Sequence, residues 1–221
     1  MTVTIPTILT LLRLVAAPAM ALVFLVFDRP TADWWALALF VAASVTDWID
    51  GYIARGWGQV SRLGTMLDPI ADKAMVSAAL LVMCVTSSLG WWLMLPGVVI
   101  LFREVFVSGL REFLGDVSGT LAVTRLAKWK TTAQMVAIAV LLAEGIAEHH
   151  AGLAAQGLDP RVVKAILDRR MVDQQDLRWW ADMAWALGWT GLTLLWLAAV
   201  LTVWTGVEYF RKAIPHLRET K

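Results

Sequence analysis

The sequence predicts an all-α integral membrane protein with six transmembrane helices, and three observations predict it. The first is composition. Of the 221 residues, 59% are hydrophobic and 17% charged, with a mean hydropathy of +0.66; a soluble domain is typically about 45–50% apolar and about 25% charged. The second is grouping: the apolar residues fall in runs long enough for a spanning helix, which needs about 20 of them. The third is period. No run alternates as barrel strands do, so helices are left to satisfy the backbone inside lipid. The formal net charge of +1 argues against a nucleic-acid partner, which calls for a strongly basic face. The single cysteine, Cys84, excludes an internal disulfide and any CxxC centre.

The first span is residues 9–27. It lacks the basic leading region of a signal peptide and is interrupted by Arg13, so it reads as a retained membrane helix. The second, residues 34–54, carries Asp47 and Asp50 in its last turns, and the third, residues 67–90, carries Asp68 and Asp72 in its first. The fourth, residues 91–114, contains Arg103, Glu104 and Arg111; the fifth is residues 128–143 and the sixth residues 183–210. Lysine and arginine gather in the second-to-third connection (Arg55, Arg62), the fourth-to-fifth (Arg111, Arg125, Lys128, Lys130) and the C-terminal tail (Arg211, Lys212, Arg218, Lys221). The positive-inside rule puts all three, and the aspartates, on the cytoplasmic side. Residues 144–182 form a long polar segment on the outer side, with mixed charge. Within it LDPRVVKAILDRRM offers Asp159 as N-cap and Pro160 at the first helical position. Val162, Val163, Ile166 and Leu167 would line one face, which either lies on the membrane surface or packs on neighbouring loops.

The stretch DWIDGYIARGWGQVSRLGTMLDPIAD holds the chemistry. Asp47, Asp50, Gly51 and Arg55 fall on one helical face, and Gly64, Asp68 and Asp72 on another. Two helices joined by a short loop are normally antiparallel neighbours, which lets the carboxylates meet at one end of a hairpin. A charge at the centre of a spanning helix costs about 2.5–3.5 kcal/mol on insertion scales, and less near an end. Four acids together also repel, and Arg55, Arg62 and Lys73 on their long stems do not force them together. A hard divalent cation, Mg²⁺ or Mn²⁺, does, and such ions combine carboxylates with substrate phosphates. Gly51, Ala54 and Gly64 leave room for a ligand beside the acids, although small residues also serve helix packing. A buried ion-pair network and an ion-coupled transporter are the competing readings. Transporter sites sit at the midplane on broken helices in repeated halves, whereas here the acids lie at helix ends and no repeat is visible.

Asp47-x2-Asp50-Gly51-x2-Ala54-Arg55-x8-Gly64-x3-Asp68-x3-Asp72 resembles, without a gap, the motif of the CDP-alcohol phosphatidyltransferases. Further similarity, to members of that family that use sn-glycerol 3-phosphate, lies in IPTILTLLRLVAAP, LDPIADK, FREVFVSGLREF and LAKWKTTAQMVAIAVLL, and weakens over the last third. The resemblance implies the CDP-alcohol phosphotransferase fold, a homodimer in the bacterial inner membrane, an active site open to the cytoplasm and two divalent metals. By motif position Asp47, Asp50, Asp68 and Asp72 would be metal ligands, with Asp72 also the general base. Gly51, Arg55, Ser61 and Thr10 would hold CDP-diacylglycerol. The implied reaction transfers the phosphatidyl group to sn-glycerol 3-phosphate; inositol phosphate, serine and phosphatidylglycerol are alternative acceptors. An acceptor phosphate needs cations, for which arginine gives bidentate contacts. Arg111 and Lys128 are the first candidates, then Arg103, Lys130 and Arg125, part of this set being accounted for by ordinary membrane anchoring. One departure is Pro6-Thr7, where relatives often have Pro-Asn.

Overall fold

The computed structural model describes residues 4–57, 61–115 and 125–217; the side chains of Trp48, of residues 50–57 and of residues 125–128 lie outside that description. Among the described residues there are seven helices and no strand: α1 (Ile5–Val26), α2 (Thr31–Trp57), α3 (Arg62–Thr86), α4 (Trp91–Leu114), α5 (Arg125–Ala155), α6 (Pro160–Leu167) and α7 (Leu177–Leu217). Six of them run 22 residues or more. Over the described residues α1, α3, α4, α5 and α7 are long and apolar enough to cross a membrane, while α2 carries the acidic turn at its end. The chain is an all-helical, multi-pass membrane protein.

Local chemistry sets the helix ends. The N-cap of α3 is Ser61, whose Oγ accepts the Gly64 N–H at 2.9 Å. Asp159 caps α6 by accepting the Arg161 N–H at 2.7 Å, with Pro160 at the first turn as the sequence predicts. At the end of α4, Gly115 adopts φ 52°, a left-handed value that glycine reaches without a Cβ clash. The Asp173 carboxylate accepts the N–H groups of Gln175, Leu177 and Arg178 and so opens α7.

Two packing features differ from expectation. First, α2 and α3 are not each other's main neighbours. Among the described residues α1 packs along both, and they touch one another only briefly. Second, residues 144–182 are not mainly loop. Helix α5 continues to Ala155 and α7 starts at Leu177, because the two bury each other's faces beyond the apolar runs: Ile146, Ala147, Ala154 and Leu177 are all buried. At 41 residues and 1.5 Å per residue, α7 is roughly 60 Å long, about twice a bilayer core. Short α6 packs through Ile166 on Ala154 and Leu177, with Val162 and Val163 alongside. Its apolar face thus meets the ends of helices α5 and α7 instead of loops, and Leu167 is off the packed face at 42% exposed.

The main core joins α1 to α5 and α7 through Met20, Phe40, Met75, Leu80, Met83, Leu93, Ile100, Ile138, Leu141 and Leu195. The α5–α7 seam is the most extensive contact in the bundle, and it depends on small residues. A Cβ on Gly191 would stand 2.6 Å from Leu141 Cγ, so glycine is what lets the two helices close there.

Candidate active site

Helix α1 supplies a polar stripe to the bundle. Thr7, Thr10 and Arg13 recur every three residues, so they share one face, and all three are buried. The Arg13 Nη1 donates to Asp47 Oδ1 on α2 at 2.5 Å. The Thr10 hydroxyl donates to Asp68 Oδ1 on α3, also at 2.5 Å. Thr7 Oγ1 and Ser61 Oγ share a hydrogen bond of 2.5 Å, which ties α1 to the start of α3. Gly64 is needed for that junction: a Cβ there would lie 3.0 Å from Ser61 Oγ and 3.3 Å from Thr7 Oγ1. Thus α1 sits between α2 and α3 and grips an aspartate on each. The carboxylates are brought together across α1 rather than directly across a two-helix hairpin.

Asp72 lies one turn beyond Asp68 on α3 and is half-buried. It is within electrostatic reach of the carboxylates of Asp47 and Glu104 and of the cations Arg13 and Lys130. Three of the four motif aspartates, Asp47, Asp68 and Asp72, therefore gather at one end of the bundle. The side chains of Asp50, Gly51 and Arg55 lie outside the described residues, so their part in the site does too. Among the described residues no group of three His, Cys, Asp or Glu side chains closes around a metal position. The donor chemistry nonetheless fits a hard divalent ion: every donor is a carboxylate oxygen. Asp47 and Asp68 are each fixed through one oxygen by α1 yet stay open to solvent, the Asp47 side chain being 53% exposed.

Behind this cluster stands a second one. Glu104 on α4 accepts from Lys130 Nζ at 2.6 Å and from Arg103 Nη1 at 3.0 Å through the same oxygen. Arg103 Nη2 donates to Thr205 on α7 at 3.3 Å, and Gly206 makes room for it, since a Cβ there would be 3.0 Å from Arg103 Cγ. Two of the cations predicted to meet acceptor phosphate, Arg103 and Lys130, are thus joined through Glu104. Arg111 lies exposed at the end of α4 with its guanidinium 5.2 Å from the Tyr209 ring centre. The side chains of Arg125 and Lys128 fall outside the described residues. Lys73, next to Asp72, bonds to Ser108 of α4.

Sequence reasoning missed Thr7 as the partner of Ser61, Arg13 as the partner of Asp47, and Glu104 as the hub of the cations. The signal for the first two was present. A lone arginine in an apolar run, three and six residues after two threonines, marks a face that must bury against acids. Ser61 and Thr10, predicted as ligand-binding positions, both border the cluster.

An all-helical membrane protein with aspartates gathered at one end of its bundle, in the gapless spacing given above, defines a class, and comparison with known proteins agrees with it. The CDP-alcohol phosphatidyltransferase family matches residues 3–204, and the chain belongs to that family. Among its relatives, the CDP-diacylglycerol–glycerol-3-phosphate 3-phosphatidyltransferase of Cereibacter sphaeroides is 53% identical over 218 residues, 98% of either chain. Proteins of the same name from Escherichia coli K12 and Shigella boydii serotype 4 are 34% identical over 211 residues, 95% of this chain and 94% of theirs.

Proposed function

We propose that this protein is a CDP-diacylglycerol–glycerol-3-phosphate 3-phosphatidyltransferase, converting CDP-diacylglycerol and sn-glycerol 3-phosphate to phosphatidylglycerophosphate and CMP. The observation that carries the reading is the 53% identity, over nearly the full length, to a relative bearing that name. The unbroken aspartate motif in a membrane bundle supports it. The acyl chains of the donor stay in the bilayer while its nucleotide reaches the polar end of the helices.

In this reading Asp72 accepts the proton of the 1-hydroxyl of glycerol 3-phosphate. The freed oxygen bonds to the phosphorus that carries diacylglycerol, and the bond from that phosphorus to the CMP oxygen breaks, its electron pair leaving with CMP. Asp47, Asp50, Asp68 and Asp72 would hold two divalent cations, Mg²⁺ or Mn²⁺, which supply charge neutralisation for the diphosphate. Thr10 and Arg13 keep Asp68 and Asp47 in place, so that little reorganisation is needed as charge develops. Gly51, Arg55, Ser61 and Thr10 border the donor, and Arg111 and Lys128, with Arg103, Lys130 and Arg125, face the acceptor phosphate. The polar end faces the cytoplasm of a bacterial inner membrane, by the lysine and arginine distribution, and the chain works as a homodimer.

The test is CMP release by purified protein with CDP-diacylglycerol and Mg²⁺ or Mn²⁺, against a panel of acceptors. Release with glycerol 3-phosphate alone is the expected result. Release only with inositol phosphate, serine or phosphatidylglycerol overturns the acceptor assignment, and no release with any acceptor overturns the function.

A further inference from the structure

At the end of the bundle opposite Asp47 and Asp68, where α3 finishes and α4 begins, α4, α5 and α7 surround a cavity of about 780 Å³. One wall is aromatic: Trp92, Trp185 and Trp189 line it, each more than half exposed on the outside of the bundle. The other wall carries Glu144 and Glu148, four apart and so on one face of α5. Glu144 is only 3% exposed. On each glutamate Oε2 is buried with no hydrogen-bond partner, a costly state for a carboxylate in low dielectric.

Ser87 lies within hydrogen-bond reach of Glu144, but among the described residues no cation forms an ion pair with either glutamate. Arg29 is the cation whose charge reaches Glu144, but each of its nitrogens has another acceptor. Nε donates to Asp33 at 2.7 Å, Nη1 to the Thr86 carbonyl at 3.2 Å and Nη2 to the Gly145 carbonyl at 3.1 Å. Gly188 keeps the space beside the acid open: a Cβ there would already touch Glu144 Cγ at 3.6 Å and Leu89 at 3.8 Å. A longer side chain at that position would fill the cavity.

The occupant must bring positive charge and N–H donors into a largely apolar groove. A divalent metal is a poor match, because only two of the residues lining the cavity are carboxylates and most of the others are apolar or aromatic. A quaternary ammonium has no N–H to give the two carboxylate oxygens. A primary ammonium has three, and its charge is also attracted to indole faces. In a membrane-spanning bundle, with the indoles on its outer surface, that ammonium arrives on a lipid. We propose that this cavity binds a phospholipid with a primary ammonium head, its nitrogen at Glu144 and Glu148 and its apolar part along Trp92, Trp185, Trp189 and Leu192.

Native mass spectrometry of the purified full chain in detergent, titrated with phosphatidylethanolamine, phosphatidylcholine or phosphatidylglycerol of the same acyl chains, tests this. The wild type is expected to retain phosphatidylethanolamine about tenfold more tightly than the other two. Equal retention of the three by wild type overturns the proposal without any variant. Glu144→Gln/Glu148→Gln, and separately Gly188→Leu, should abolish the preference while CMP release is retained, because both changes lie at the end of the bundle opposite the aspartates. A preference that survives both variants, or displacement of the lipid by millimolar Mg²⁺, overturns it in favour of an unselective groove or a metal site respectively.

Discussion

The two ends of this bundle both set acids at the edge of a membrane, and they treat them in opposite ways. At one end Asp47 and Asp68 are each held through a single oxygen, by Arg13 and Thr10, while remaining open to solvent. At the other, Glu144 and Glu148 line a cavity whose opposite wall is tryptophan, with an oxygen apiece lacking a hydrogen-bond partner. The first arrangement fixes geometry and leaves coordination sites accessible, which suits chemistry on a charged substrate. The second buries acceptor oxygens that lack a donor, which suits recognition of a group that brings N–H bonds and positive charge. Acid content alone therefore says little; what surrounds each oxygen decides its use.

The largest effect that would break this contrast is at Asp72. Asp72→Asn should lower kcat by about 10²–10⁴-fold, the usual contribution of a general base, with nucleotide binding measured by calorimetry largely kept; wild-type turnover would remove Asp72 as the base. Next come the residues that hold the aspartates. Thr10→Val and Arg13→Met should each cost about 10–100-fold in metal affinity or activity, as loss of a group that orients a ligand does. Thr10→Ser, which restores the hydroxyl, should recover most of the loss in a metal titration. A structural role alone would not give that recovery selectively.

Smaller effects separate stability from chemistry. Gly191→Leu forces a side chain into Leu141 at the α5–α7 seam and should cost about 1–3 kcal/mol as overpacking, read as a lower Tm in detergent with the metal dependence of turnover unchanged. The smallest effect is expected at Asp173, a partly buried acid near neither cluster. Its carboxyl is held below the ordinary aspartate value by the backbone N–H groups of Arg178, Leu177 and Gln175. A lowered value means the stabilisation is complete above the ordinary value of about 3.9 and is lost as pH falls through the lowered one. Asp173→Ala should therefore reduce Tm slightly at neutral pH and lose its difference from wild type in acid.

Much of this was legible in the sequence because the informative features are local. Runs of apolar residues mark the helices, and four aspartates at spacings of three and four mark two helical faces. Asp159 and Pro160 announce the start of α6. What was not legible is relational. Arg13 reads as a break in an apolar run until Asp47, far along the chain, is brought opposite it. Thr10 and Asp68 are separated by 58 residues, and the interposition of α1 follows from bundle packing that no short window contains. The reach of α5 and α7 beyond their apolar runs was hidden for a related reason. Hydropathy falls there, but the two helices shield one another, so residues such as Ile146 and Ala147 are buried by a partner helix instead of by lipid.

The interposition of α1 has a consequence for the order of synthesis. The three helices that bring the aspartates together, α1, α2 and α3, are consecutive in the chain. Their mutual contacts need nothing from the helices that follow, whereas Glu104 and Lys130 arrive with α4 and α5. Chains are released from their N-terminal side as they are made. Asp47 and Asp68 can therefore meet Arg13 and Thr10 in the membrane while the ribosome is still adding α4 to α7, and the later helices bring Glu104 and Lys130 to Asp72.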